Sequence, residues 1–169
     1  IDFYRACKAE GIKPIIGCEV YVTPQGRTRF DKVHEFDAES RHLVLLCENE
    51  EGYRNLSYLV SAAWTEGFYI KPRIDMDLLR EHCGGLIACS ACLAGELPRL
   101  LLAGEYDQAK ATALEMQELF GPDGYYLELQ DHGIPSQKQV NAGLRRLHEE
   151  TGIPLIATND AHYLRREDA

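Results

Sequence analysis

Residues 135–159, PSQKQVNAGLRRLHEETGIPLIATN, join a helical pattern directly to a strand pattern. The helical spacing of apolar residues ends at Gly152, a residue type that commonly terminates helices. The short apolar run PLIATN that follows has the character of a buried strand. Residues 10–17, EGIKPIIG, repeat the same order of helix end, glycine and strand. This rhythm predicts an α/β fold.

The rest of the chain alternates in the same way. We predict helices over residues 2–10, 51–64, 74–82, 94–104, 106–121 and 135–152, and strands over residues 13–22, 42–47, 85–90, 125–130 and 154–159. Residues 23–40 have no periodicity and are predicted to form a loop. Short apolar strands between helices are typical of a parallel sheet. No linker or low-complexity tract divides the chain, so one domain over residues 1–169 is expected.

The charge balance limits the partners of this segment. With 27 acidic and 18 basic residues, its formal net charge is −9. Because nucleic-acid binding draws much of its affinity from Lys and Arg, the segment alone is a poor nucleic-acid binder. No apolar run approaches the roughly 20 residues of a membrane helix, and no secretory signal is visible. The chain opens on Ile1 within a helical pattern, which indicates a fragment of a longer cytoplasmic protein.

The cysteines indicate a reducing environment. Most of the six lie in apolar strand or helix contexts, which favours free thiols over a disulfide scaffold; they are Cys7, Cys18, Cys47, Cys83, Cys89 and Cys92. The last two form a lone C-x-x-C motif. Without a second pair, this motif is a weak signal for zinc or redox chemistry.

Polar residues collect where predicted strands end, which is where ligands bind in parallel α/β folds. Asp160 and His162 follow the last strand and lie two positions apart, so in extended chain they project to one side. A carboxylate and an imidazole suit a divalent ion such as Zn²⁺ or Mn²⁺. The alternative is that Asp160 caps a turn and His162 is solvated.

Two further candidates lie within or just after apolar strands. Glu19 is flanked by Cys18 and Val20, and an acid there cannot be buried without a partner. Its alternative is an outward-facing position. Cys92 lies at a strand-to-helix junction, where a thiolate could bind a metal. The commoner role of such a residue is a small buried side chain.

The remaining strand-end residues are less informative. Asp131 and His132 are adjacent, so at most one is expected to face a shared site, and an Asx-type turn before Gly133 is favoured. His42 begins a strand instead of ending one, so its position gives no reason to expect it among the ligands. Taken together, the residues suggest a metal-dependent phosphoesterase or hydrolase.

The same motifs resemble the PHP (polymerase and histidinol phosphatase) domain of bacterial DNA polymerase III alpha subunits. The resemblance covers nearly the whole chain except residues 23–40. It rests on GIKPIIGCEVYV, RHLVLLCENEEGYRNLSYLVS, TEGFYIKPRID, GLIACSACLAGELPRLLLAG, YYLELQDHGIPSQKQVN and GIPLIATNDAHYL. SACLAGE, and the pairing of TEGFYIKPRID with TNDAHYL, separate the replicative subunits from free-standing phosphatases.

The resemblance implies part of a distorted (β/α)7 TIM-like barrel that holds a cluster of divalent metal ions, Zn²⁺, Mn²⁺ or Mg²⁺. The implied ligands are those at the family's motif positions: Glu19, His42, Cys92, Asp160 and His162. His132 also matches the family pattern, without a clear ligand role. The family's H-x-H and T-D-H motifs would lie upstream of Ile1, so we expect an incomplete metal cluster and an inactive isolated fragment.

For function, the resemblance implies a segment of a replicative DNA-directed DNA polymerase, with a metal-dependent 3′–5′ exonuclease or phosphoesterase in this domain. DNA and the other polymerase III holoenzyme subunits would be the partners of the full-length protein, and no membrane is expected. Two alternatives remain. One is a catalytically silent structural module that supports the polymerase core and binds partners. The other is a phosphoesterase of the histidinol phosphatase type.

Overall fold

A computed structural model describes residues 1–168, so the expected domain limit at residue 169 lies outside the described residues. The fold is mixed α/β, as predicted, and its strands form one seven-stranded sheet. The strands are β1 (Gly17–Val22), β2 (Arg41–Cys47), β3 (Phe68–Tyr69), β4 (Lys71–Ile74), β5 (Leu86–Cys89), β6 (Tyr125–Leu129) and β7 (Leu155–Ala157). Their order across the sheet is β3-β4-β1-β2-β5-β6-β7.

Six of the helices lie close to their predicted positions, and a short helix that was not predicted forms within residues 23–40. The helices are α1 (Asp2–Ala9), α2 (His34–Asp37), α3 (Glu50–Thr65), α4 (Met76–Glu81), α5 (Glu96–Ala103), α6 (Tyr106–Phe120) and α7 (Pro135–Thr151), and a 3₁₀ turn spans Arg166–Asp168. Asn49 caps α3 by accepting from Gly52 N at 3.0 Å. Gly152 ends α7 with φ 75°, as its sequence position predicts. None of the helices within residues 1–168 has the length and hydropathy of a membrane span.

The prediction of a parallel sheet is wrong at β2. This strand runs antiparallel to both neighbours, β1 and β5, whereas β1–β4, β5–β6 and β6–β7 are parallel pairs. A parallel connection needs a crossover, usually a helix of several turns. Residues 23–40 contain only the four-residue α2. As a result, β2 begins at the edge of the sheet where the parallel strands end.

A small hairpin follows α3 that the sequence pattern did not predict. The antiparallel strands β3 and β4 are joined at Ile70, whose φ is 63°. The strands have two and four residues and include Pro72, so neither has an apolar pattern long enough to predict a strand. The predicted helix from residue 74 starts instead at Met76, after the capping residue Asp75.

The loop at residues 23–40 is anchored by buried charges. Arg73 is fully buried and donates to the carbonyl oxygens of Gly67, Arg29, Asp31 and Asp37 at 2.8–3.3 Å. Its planar guanidinium can serve several acceptors at once. The buried carboxylate of Asp37 accepts two hydrogen bonds from Arg27, at 2.8 and 2.6 Å. A stretch without sequence periodicity is therefore held in place by hydrogen bonds with Arg73 and between Arg27 and Asp37.

The hydrophobic core lies on one face of the sheet. Val20 and Val22 of β1 and Leu43 and Leu45 of β2 are buried in one cluster with the inner faces of the helices. Side chains alternate along a strand, so Glu19 on β1 and His42 on β2 belong to the opposite face. The helices thus leave one face of the central strands free for a polar site.

Candidate metal centre

Three of the predicted ligands converge on that face. Nδ1 of His42 lies 2.9 Å from Oε1 of Glu19 and 3.5 Å from Sγ of Cys92. The three ligand atoms all lie within 4.8 Å of one another, and all three residues are partly buried. We call Glu19, His42 and Cys92 the triad.

Strand register places Glu19 beside His42. In the β1–β2 pair, Glu19 is opposite Val44 and His42 is opposite Tyr21. Glu19 and His42 are therefore diagonal neighbours on one face of an antiparallel pair, within reach of long side chains. The Tyr21 ring packs edge-on against the imidazole, with ring centroids 5.1 Å apart.

Cys92 reaches the triad through the loop after β5. This loop closes against β2, because His42 N donates to the carbonyl oxygen of Ala94 at 3.2 Å. A Cβ at Gly95 would lie 2.3 Å from the carbonyl oxygen of Ser90, so the tight path requires glycine there. Ala91, directly before Cys92, has φ 61°, a left-handed conformation that is rare for alanine.

The two neighbours of His42 change its titration. Hydrogen bonds with Cys92, foremost, and with Glu19 raise the pKa of the imidazole to about 9. The hydrogen bond with His42 in turn lowers the pKa of Glu19. The ring is therefore protonated at neutral pH. A divalent ion requires the neutral ring, so metal binding would release that proton.

The two cysteines of the C-x-x-C motif have different environments. Cys89 is 3% exposed, and burial raises the pKa of its thiol to about 12. Cys92 instead contacts His42. The two thiols form no disulfide, and all six cysteines are free, as the sequence analysis expected. The motif therefore contributes one residue to the triad.

Asp160 and His162 lie near the triad without joining it. They line an open cavity of about 480 Å³ together with Glu19. Asp160 has φ 48°, and Nδ1 of His162 lies 2.9 Å from the carbonyl oxygen of Asp160. His162 also lies close enough to Glu19 to lower the pKa of that carboxyl group. The structure thus brings the pair to the same cavity, where His162 is exposed.

His132 is occupied by other contacts. Its Nε2 lies 2.8 Å from the carbonyl oxygen of Asn159, and its Nδ1 lies 2.8 Å from Nε2 of Gln137. The neighbouring Asp131 accepts from Gly133 N at 3.0 Å, which is the Asx-type turn that the sequence favoured. In this structure His132 connects α7 to the segment that carries Asp160.

Glu128 of β6 was not predicted as a site residue. This acid is 5% exposed and lines the same cavity as Glu19, Asp160 and His162. The signal was available in YYLELQ, an acid within an apolar strand, which is the signal that selected Glu19.

The donor set of the triad fits a divalent metal ion. A carboxylate oxygen, an imidazole nitrogen and a thiolate sulfur are all ligand types that Zn²⁺ accepts. Three protein ligands are typical of catalytic sites, since they leave a coordination position for substrate or water. Of the triad, Glu19 lines the open cavity. Asp160 and His162, which line that cavity, would supply further ligands suited to Zn²⁺ or Mn²⁺.

Comparisons with known proteins show the family of the chain. Residues 1–132 match the family described as PHP domain. Proteins named DNA polymerase III subunit alpha are similar to the chain: that of Treponema pallidum is 49% identical over 170 residues, that of Deinococcus radiodurans 47% over 171, and that of Thermus aquaticus 45% over 169. Each alignment covers 100% of this chain, but the chain spans only 13–14% of the length of these relatives.

Proposed function

Because the chain belongs to the PHP domain family, we propose that it is the PHP segment of a bacterial DNA polymerase III alpha subunit. The names of the similar proteins and their full coverage of the chain support this proposal. In the proposal, the domain extends to residue 169, since β7 at residues 155–157 belongs to the same sheet as the matched region. The full-length protein would synthesise DNA in the cytoplasm with other holoenzyme subunits.

We further propose that this domain is a metal-dependent 3′–5′ exonuclease or related phosphoesterase. The convergence of Glu19, His42 and Cys92 carries the proposal. When bound, a divalent ion supplies a nucleophile from water at neutral pH and neutralises phosphate oxygens. Glu19, His42 and Cys92 would hold one ion, Zn²⁺ or Mn²⁺, while Asp160 and His162 would extend the site across the cavity. Mg²⁺ fits a cysteine ligand poorly.

Because this segment is acidic, we expect most DNA contacts to come from other parts of the polypeptide. At a net charge of −9, this segment repels a phosphate backbone. A primer end would therefore need metal ions, and basic surfaces outside residues 1–169, to enter the cavity. The proposed substrate is a single 3′ end delivered by the polymerase and not a duplex bound by the segment alone.

The test uses the full-length polypeptide loaded with Zn²⁺ or Mn²⁺. We expect it to shorten a primer with a mismatched 3′ end, and to lose this activity in Glu19→Gln and in His162→Ala while DNA synthesis continues. Tyr163→Phe is the matched control, since Tyr163 is exposed beside His162. Release of phosphate from histidinol phosphate, measured in parallel, distinguishes the phosphatase alternative from a nuclease.

The result that would overturn the nuclease proposal is a metal-loaded protein that synthesises DNA and leaves the mismatched primer intact. Release of phosphate from histidinol phosphate, without primer degradation, would assign the site to the phosphatase type. Equal degradation by wild type and Glu19→Gln would place the nuclease elsewhere in the polypeptide.

A structural role is the second candidate, and one surface favours it. No residue of α1 is buried, and Phe3, Ile12 and Ile15 are each 60% exposed. Such apolar exposure is typical of a surface that packs against another part of a protein. If the domain supports the polymerase core, Phe3→Asp should reduce DNA synthesis without changing metal content. Unchanged synthesis in Phe3→Asp would argue against this second role.

A further inference from the structure

Glu128 is a buried acid without a basic partner. It lies on β6 with 5% exposure, and among residues 1–168 no Lys, Arg or His nitrogen lies within 4 Å of its carboxylate. A buried carboxylate has to be satisfied by hydrogen-bond donors. The identity of those donors indicates what Glu128 does.

Three donors serve Glu128, and two of them come from segments distant in the sequence. Oε2 accepts from Ala91 N at 3.1 Å, in the loop after β5. Oε1 accepts from the hydroxyl of Thr158, just after β7, and from Nε2 of Gln130 at 3.0 Å. Cys92 follows Ala91 directly, and Asp160 lies two positions after Thr158. One carboxylate therefore connects the segment that carries Cys92 with the segment that carries Asp160 and His162.

The contact with Ala91 has a specific consequence for Cys92. Ala91 has φ 61°, a left-handed backbone conformation that is unfavourable for most residues other than glycine. It persists only where surrounding contacts hold it. Ala91 N donates to the Glu128 carboxylate, and a second hydrogen bond connects the same loop to β6: Glu128 N donates to the hydroxyl oxygen of Ser90 at 2.8 Å. These two bonds fix the loop on β6 in the conformation that points Sγ of Cys92 at His42.

We propose that Glu128 is a positioning residue that holds the Cys92 loop and the Thr158 segment in register around the metal centre. The inference rests on the proposed metal-binding function. Because both carboxylate oxygens already accept hydrogen bonds from the protein, Glu128 acts through Cys92 and the segment of Asp160, and is not itself a ligand. Groups that orient metal ligands are part of a metal site, and their loss weakens metal affinity.

Two measurements on the full-length polypeptide test this role in Glu128→Gln, because an amide replaces one acceptor with a donor. The first is titration with Co²⁺, whose thiolate charge-transfer absorption reports on Cys92. We expect roughly 10–100-fold weaker Co²⁺ binding and a weaker band. The second is the alkylation rate of Cys92 in metal-free protein, measured by mass spectrometry. We expect it to change severalfold while Cys89 stays protected.

Controls separate positioning from folding. Glu118→Gln makes the same chemical change on the exposed side of α6 and should match wild type in both measurements. Thr158→Val replaces only the hydroxyl with a methyl group, should fold, and should weaken Co²⁺ binding with less effect on Cys92 alkylation. Wild-type Co²⁺ affinity, band intensity and Cys92 reactivity in Glu128→Gln would overturn the proposal. If wild type binds no Co²⁺ but Cys92 reactivity still responds, the metal function fails and the positioning role stands.

Discussion

Oε1 of Glu19 lies 2.9 Å from Nδ1 of His42, across a pair of antiparallel strands. The distance depends on the direction of β2. If β2 ran parallel to β1, its first residues would lie at the opposite edge of the sheet from the ends of β1, β5 and β7. The reversal of one strand therefore brings the imidazole to the carboxylate and to Cys92.

His42 contacts both other members of the triad, so its removal should have the largest effect on metal binding. We expect His42→Ala to lose Zn²⁺ affinity by more than the roughly 10–100-fold that loss of an orienting group costs. The measurement is metal content of the purified full-length protein after dialysis. His34→Ala, which changes an exposed histidine, should keep its metal. Equal metal content in the two variants would contradict a ligand role for His42.

The two cysteines of the C-x-x-C motif should respond differently to substitution. Cys92→Ser should abolish the thiolate-to-Co²⁺ absorption, because its thiol belongs to the triad. Cys89→Ser should keep the band, because burial raises the pKa of Cys89 to about 12 and that thiol stays protonated. If the band disappeared only in Cys89→Ser, the thiolate ligand would be Cys89, and the proposed ligand role of Cys92 would be contradicted.

Acid should loosen the loop at residues 23–40 through Asp37. The hydrogen bond from Arg27 lowers the pKa of Asp37 from 3.8 to about 2. A lowered pKa in the folded state means stabilisation that is complete above pH 3.8 and is lost as the pH falls through 2.

Hydrogen exchange of residues 23–40, compared at pH 7 and at low pH, measures this loss. Asp37→Asn should already exchange faster at neutral pH and should change little on acidification. Asp123→Asn, at an exposed position, should follow wild type. A loop that exchanges equally in Asp37→Asn and wild type at neutral pH would show that the Arg27 contact contributes nothing.

Arg73 should not tolerate the conservative change to lysine. Its guanidinium serves four carbonyl oxygens in a fully buried position, and an ammonium group cannot reach all of them. Buried acceptors left without donors cost about 1–3 kcal/mol. We expect Arg73→Lys to expose residues 23–40 to limited proteolysis. Arg54→Lys, at a surface ion pair, should be cleaved no faster than wild type; equal resistance in Arg73→Lys would refute the anchoring role.

The sequence was sufficient to predict most elements and most candidate ligands. Helices such as α3 and α7 have apolar spacing and end signals that depend only on neighbours in the chain. Glu19 was a candidate from its local context, whereas the local context of Cys92 favoured a small buried side chain and the family resemblance implied the ligand role. His42 required the family resemblance, since a strand start is not where ligands are expected in a parallel sheet. The hairpin of β3 and β4 was missed because its strands are too short to have a period.

By itself, then, the sequence determined the alternation of helices and strands and the identity of the donor side chains, because both are properties of short stretches. Only the tertiary structure decided the direction of β2, the different environments of Cys89 and Cys92, and the burial of Glu128 between two segments that carry candidate ligands. These depend on hydrogen bonds between residues far apart in the chain, such as the Glu128–Ala91 and Glu128–Thr158 contacts. Such pairings stabilise one topology among several that local patterns allow.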